Sequence, residues 1–364
     1  MPAHDADPTH GVALFYHPAF LEHDTGNHPE SARRLSGILA ELERRGITES
    51  SLTRPEPASL DLLGQVHDLT YVRAVDEVAR TGGGYWDLDT YISEGSYNAA
   101  LLAAGAAAAA VDAAMAGTPS LALVRPPGHH ALRRSAMGFC LFNNAAVAAQ
   151  HAVSAHGLSR VMIVDWDVHH GNGTQDAFYD RADVLFFSSH RYPFYPGTGA
   201  LDETGQGAGR GYTVNVPLPG GVGDEGYGQV FGQVVAPLAR RYRPELIVVS
   251  AGYDSHLADP LGGMAVTVAG FSEMARTVMG LAREIPECNG RLAAVLEGGY
   301  NVAALAASVA ATIAAFGGRE SLAPEPPGGT PTGWTHPSAP DYIHHRHPPD
   351  VSGVIERVRG VHGL

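Results

Sequence analysis

Cysteine is nearly missing from this chain of 364 residues. Two residues, Cys140 and Cys288, cannot build a disulfide framework, so the sequence reads as a protein of a reducing compartment. Charge is sparse too, at 17% of residues, and 24 Lys and Arg stand against 38 Asp and Glu for a formal net charge of −14. That balance argues against bare nucleic acid, whose affinity comes largely from Lys and Arg on phosphates. It suits a cationic substrate or product somewhat better. The most apolar run, Ala99 to Ala116, is alanine-rich, contains Asp112 and little Leu or Ile, and reads as too weak for a membrane span. The opening M-P-A-H-D-A-D-P-T-H is polar and acidic and reads as no signal peptide. The expectation is a soluble cytoplasmic protein without nucleic acid or membrane partners, with a homo-oligomer left open.

Hydrophobic residues are plentiful at 45%, enough for a large core, and 44 Gly with 25 Pro imply many loops. Gly11 to Tyr16 reads as a strand; Pro29 to Arg45, Leu69 to Thr81 and Tyr97 to Gly117 read as helices. From there apolar strands alternate with helices. The strands are Leu121 to Val124, Val161 to Val164, Val184 to Ser188, Tyr212 to Val216, Leu246 to Ser250 and Leu292 to Leu296. The intervening helices are Ala145 to His156, Gly226 to Tyr242 and Gly270 to Ala282. That rhythm implies a mainly parallel sheet covered by helices, an α/β fold. One domain of residues 1–364 is expected, with its core in 11–317. The segment 318–364 reads as a Pro-, Gly- and His-rich tail packed on it, with a short helix at 351–361. The run H-H-R-H at 344–347 reads as solvated tail rather than metal site.

In such sheets ligands bind beyond the carboxyl ends of the strands. Five strand ends here deliver polar side chains: R-P-P-G-H-H, D-W-D-V-H-H, S-H-R, A-G-Y-D-S-H and E-G-G-Y. Asp165, Asp167 and His169 fall at i, i+2 and i+4, on one side of an extended segment. Carboxylates and imidazole converging in a buried place need a cation. Asp167, His169 and Asp254 would make a three-ligand catalytic metal site with an open position. Two carboxylates and one imidazole are harder than the usual zinc set, so ferrous iron or manganese also suits them. His129 and His130 offer a general base and an electrostatic partner, oriented by Asp165 and Asn172. Tyr300, after two glycines, is placed to donate to an oxyanion. Phe139 and Tyr195 would wall an apolar channel. Together these groups describe metal-assisted hydrolysis of an amide.

The motifs R-P-P-G-H-H-A, M-G-F-C-L-F-N-N, V-D-W-D-V-H-H-G-N-G-T, A-G-Y-D-S-H-L-A-D-P-L-G-G and E-G-G-Y, in that order, resemble the zinc-dependent histone deacetylase family. The match is closer to its class II branch and to bacterial histone-deacetylase-like amidohydrolases, and it covers residues 11 to 317. The resemblance implies an arginase-like domain with an eight-stranded sheet and helices on both faces. It implies zinc on Asp167, His169 and Asp254; ferrous iron stays the alternative that the donor set itself offers. His130 becomes the general base and acid, His129 with Asp165 its electrostatic partner, and Tyr300 the oxyanion donor. Asn172 stands where class I members carry Asp. Gly138, Phe139, Tyr195 and Gly298 would line an acyl-lysine tunnel. Leu261 stands where dedicated polyamine deacetylases carry Glu. A structural potassium site is implied at Asp165, Asp167, His169, Ser188 and Ser189, and a second around Phe178, Arg181, Val184 and Tyr212. Arg181 departs from the smaller residue expected there. The implied substrate is an acyl-lysine protein or peptide, or another acetylated amine, and the implied inhibitor class is the hydroxamates. Three alternatives stand beside it: a deacetylase of acetylpolyamines or small-metabolite amides, a binuclear manganese ureohydrolase, and a binding protein for acylated amines without activity.

Overall fold

Four apolar residues, Val161 to Val164, lead into Asp165 and form a strand with no exposed position. The same holds for Leu246–Ala251 and Leu292–Leu296. Strands buried along their whole length need cover on both faces, the setting of a parallel sheet between helices. The computed structural model, which describes residues 8–320, 324–326 and 348–364, contains that sheet. The strands are β1 (Ala13–Phe15), β2 (Leu52–Thr53), β3 (Gly84–Tyr85), β4 (Tyr91–Ile92), β5 (Ser120–Ala122), β6 (Val161–Asp165), β7 (Val184–Arg191), β8 (Thr213–Leu218), β9 (Leu246–Ala251) and β10 (Leu292–Leu296). Eight of them pair in the order β2-β1-β5-β10-β9-β6-β7-β8, and every pair is parallel. All eight carboxyl ends therefore share one edge.

Helices Ser96–Met115 and Asn144–His156 pack on each other and on the sheet. Arg33–Arg44, Val268–Glu284 and Val302–Phe316 form a second packed group. Ser96–Met115 is in fact long and apolar enough to cross a membrane, contrary to the sequence reading, but 67% of its apolar window is buried inside the fold. Its small side chains let the neighbouring helix approach.

Four other features escaped the sequence. β2 has two residues, too short to show a pattern, yet it supplies the eighth strand. Val302–Phe316 is apolar on all sides and shows no helical stripe, as a helix buried between two others should not. The glycine-rich stretch 81–96 holds the β3–β4 hairpin. The helix expected at 226–242 starts at Asp224 and passes through a π-helical stretch, Phe231–Val235. At the C-terminus a helix forms as expected, Ser352–His362, and packs on β8 through Val351, Ile355 and Val358. His344 to His347 lie outside the described residues.

A buried ion cluster ties the N-terminal loops to the strand ends. Glu30, fully buried, takes Arg125 at 2.6 and 2.8 Å and Arg34 at 3.1 Å. Burial pushes the Glu30 carboxyl up, but the Arg125 charge prevails and holds it well below the usual carboxylate range. Arg125 also donates to the Phe20 and His23 carbonyls. Removing one partner of a buried pair leaves an uncompensated charge. Arg125→Met is therefore expected to destabilise the protein by about 3–5 kcal/mol, read as a lowered midpoint in urea unfolding; an unchanged midpoint would contradict this account of the cluster.

Candidate active site

Beyond Asp165 the chain leaves the strand. The Asp167 N–H donates to Asp165 Oδ1 (3.1 Å) and the His169 N–H to Asp167 Oδ1 (2.9 Å). Two successive side-chain-to-backbone bonds, not an extended i, i+2, i+4 strand, thus aim these groups. The sequence pattern groups these residues by an extended geometry that the structure does not have. Asp165 turns to His129, whereas Asp167 and His169 turn to Asp254.

Asp254, at the end of β9, completes a buried triad. His169 Nδ1 lies 3.2 Å from Asp167 Oδ1 and 3.1 Å from Asp254 Oδ2. The three donor atoms sit within 4.8 Å of one another. Each carboxylate is held by a backbone amide on its other oxygen: Val168 N–H on Asp254 Oδ1 (2.8 Å) and Gly298 N–H on Asp167 Oδ2 (2.9 Å). Gly298 is glycine for a reason, since a Cβ there would collide with the carboxylate oxygens of both Asp254 and Asp167. Buried carboxylates this close to one imidazole, with no Lys or Arg among their bonds, fit a divalent cation with one nitrogen and two oxygen ligands. His170 faces away, toward Thr198 (2.8 Å) and Gln175 (3.0 Å), so it is not available to a second metal.

The His129 and His130 rings lie 4.0 Å apart between centroids, tilted at 42°, and different partners hold them. His129 Nδ1 meets Asp165 Oδ2 at 3.0 Å; His130 Nδ1 meets Asn172 Oδ1 at 2.7 Å. An amide oxygen only accepts, so His130 Nδ1 carries the proton and Nε2 is left with a lone pair. Burial pushes the His129 imidazole down, but the Asp167 and Asp165 charges prevail and raise it well above its ordinary value. Burial and the neighbouring His129 and His169 push His130 well below. Gly138, in the left-handed region at φ 56°, lets the backbone touch the His130 ring, where a Cβ would clash.

Tyr300 follows β10. Its N–H donates to Asp259 Oδ2 (2.6 Å), a buried carboxylate that also accepts the Leu261 N–H (2.9 Å) and the Asn301 N–H (3.2 Å). Burial and Asp254 raise Asp259 to about 7. The Tyr300 ring meets Phe139 edge-on at 5.7 Å, and the Arg34 guanidinium lies over it at 5.1 Å. Arg34 in turn donates to the carbonyls of Gly299 (2.6 Å) and Glu297.

Phe139 and Tyr195, expected to wall a channel, both have ring contacts with the site residues. Tyr195 meets the rings of His130 (5.2 Å) and His169 (6.0 Å) edge-on. Phe194 stacks on His169 at 5.5 Å, and His28 meets Phe139 at 4.5 Å; the sequence reading gave neither a role, though R-Y-P-F-Y-P supplied a second aromatic to consider. It also gave no role to Arg34, nor to Asp259, Arg125 and Glu297, which stand inside the quoted motifs. Glu297 accepts the N–H groups of Gly128 (2.7 Å) and His129 (3.1 Å), fixing the turn that carries both histidines.

Of the residues expected around potassium, Asp165 and Ser188 are ladder neighbours on β6 and β7. The Ser188 hydroxyl is 2.9 Å from His190 Nδ1, and the buried Ser189 hydroxyl has no hydrogen-bond partner among the described residues. In the second group, Arg181 is paired with Asp183 at 2.6 and 3.0 Å and lies over the Phe178 ring. Val184 opens β7, and Tyr212 O accepts the Phe186 N–H (2.8 Å).

The histone deacetylase domain model matches residues 28–316. The histone deacetylase-like amidohydrolase of Pseudomonas aeruginosa is 43% identical over 279 residues, covering 76% of this chain and 72% of that one. Human polyamine deacetylase HDAC10 is 42% identical over 325 residues, covering 83% of this chain and 47% of that one. The crystal structure of the HDA15 HD domain superposes with a TM-score of 0.80 at 42% identity, covering 86% of this chain and 91% of that one. The arginase-like α/β sheet, the ordered motifs and these matches lead to one assignment: the chain belongs to the histone deacetylase family of hydrolytic deacetylases.

Proposed function

We propose that the chain, as a single catalytic domain, is a zinc-dependent amidohydrolase that removes an acyl group from lysine or another amine. The observation that carries this reading is the pair His129–His130 held by a carboxylate and an amide, respectively, beside the triad Asp167, His169 and Asp254. A zinc ion on that triad, or ferrous iron in its place, would supply Lewis acidity toward water and the acyl carbonyl. His130 Nε2 takes the proton from the attacking water and returns it to the departing amine nitrogen. His129, kept charged by Asp165 and Asp167, opposes the negative charge that develops beside it. The Tyr300 hydroxyl donates to the oxyanion. Phe139 and Tyr195, with Gly138, confine the acyl chain. Leu261 in place of a carboxylate favours acyl-lysine over acetylpolyamine, the substrate class in the name of the HDAC10 relative. The residues around Ser188 and around Tyr212 would hold structural potassium ions.

The test is hydrolysis of acetyl-lysine, trifluoroacetyl-lysine and acetylpolyamine substrates by zinc-loaded protein, with and without a hydroxamate. Hydroxamate-sensitive turnover, with acetyl-lysine preferred over acetylpolyamine, is expected. The chain contains no lysine, so it cannot compete as its own acyl-lysine substrate. Absence of turnover on the whole panel would overturn the reading in favour of a binding protein.

A further inference from the structure

The two alanine-rich helices Ser96–Met115 and Asn144–His156 carry very little chemistry. Among Asp, Glu, His, Lys and Arg, the first has Asp112 alone and the second His151 and His156 alone. All three meet at one point. His151 Nε2 and His156 Nε2 each lie 2.7 Å from Asp112 Oδ1, and the three donor atoms fall within 4.8 Å of one another. The imidazole rings stand at 87° to each other, 5.4 Å apart, both with Nε2 aimed at the same oxygen. None of the three belongs to the deacetylase site, which gathers around Asn143 and the opposite end of the second helix.

We propose that Asp112, His151 and His156 form a second site, which takes a divalent cation of borderline softness such as Zn2+, Ni2+ or Cu2+. Two imidazole nitrogens and one carboxylate oxygen are the donor set that such ions prefer. The side chains are 18%, 27% and 56% exposed for His151, His156 and Asp112, so an ion can enter and water can complete its coordination. A tetrahedral ion with bonds of about 2.0–2.2 Å sets its donors about 3.3–3.6 Å apart, so each imidazole nitrogen must draw back from Asp112 Oδ1 by about 0.6–0.9 Å, which partly exposed side chains can do. A metal there would clip the two helices together, the carboxylate from one and both imidazoles from the other. This site is independent of the proposed reaction.

The test is Zn2+ titration of the whole zinc-loaded chain by calorimetry, with metal counted after desalting. It runs alongside Asp112→Asn, His151→Ala and His156→Ala, each checked for an unchanged circular dichroism spectrum. The expected result is an extra equivalent in the wild type that each substitution removes; comparing variants cancels binding by the His-rich tail. In Asp254→Asn, which lacks a catalytic ligand, bound Cu2+ should show nitrogen coupling from two imidazoles, lost in Asp254→Asn combined with His151→Ala. Equal uptake by wild type and all three variants would overturn the proposal and leave a carboxylate bridging two imidazole N–H groups. Because no arm reads hydrolysis, the outcome does not depend on whether the deacetylase reading stands.

Discussion

His130→Ala is expected to lower kcat by about 10²–10⁴-fold, the usual worth of a positioned acid or base, while zinc content stays at the wild-type level. The argument is geometric. His130 makes no hydrogen bond to Asp167, His169 or Asp254; its Nδ1 is held by Asn172 at 2.7 Å. Its loss should spare the metal and remove only the proton shuttle. Two controls separate this from general damage. Hydroxamate affinity should fall far less than kcat, and Asn172→Asp, which swaps the amide for a carboxylate, should alter the pH dependence of kcat while leaving appreciable activity. A His130→Ala protein with near wild-type turnover would remove His130 from the reaction.

Tyr300→Phe should reduce kcat by at least about tenfold, and by as much as about 10²–10³, the cost of deleting one oxyanion donor. The substitution keeps the ring. Its edge contact with Phe139 and the Arg34 guanidinium above it involve the ring face and edge, not the hydroxyl. The backbone stays pinned by Asp259. The KM should therefore change little, and a hydroxamate should still bind. Equal losses in binding and turnover would mean that the hydroxyl serves the ground state and not the oxyanion.

Much of this site was legible because its chemistry is local in sequence. Asp165, Asp167, His169 and Asn172 lie within eight positions, and the turns that aim Asp167 and His169 are closed by carboxylates two residues earlier. His129–His130 and Tyr300 announced themselves by position after strands. What stayed hidden depends on distant partners. Glu30 looks like any helix-start carboxylate until Arg125, 95 positions away, closes on it. Asp259 reads as a turn residue until it accepts the Tyr300 amide, 41 positions on. Arg34 reads as a surface cation, yet it is fully buried across the Gly299 carbonyl. The missed fold elements have local causes: two residues cannot show an alternation, and a helix apolar on every side shows no stripe. Asp112, His151 and His156 were equally invisible, since only the packing of two alanine faces brings them together.

The ends of the sheet bear on how the molecule behaves in a crowded solution. A terminal strand offers unpaired amides and carbonyls to any passing chain. At one end β2 is two residues long, too short a template to recruit a partner. At the other, β8 has six residues, loses one donor at Pro217 and has the Ser352–His362 helix packed on it. Arg241 and Arg359 fasten that helix through the His362 and Gln233 carbonyls. A chain cut before Val351 would keep every residue of the candidate active site and still leave β8 without its guard. Monodispersity, as distinct from activity, is thus assigned to the last fourteen residues.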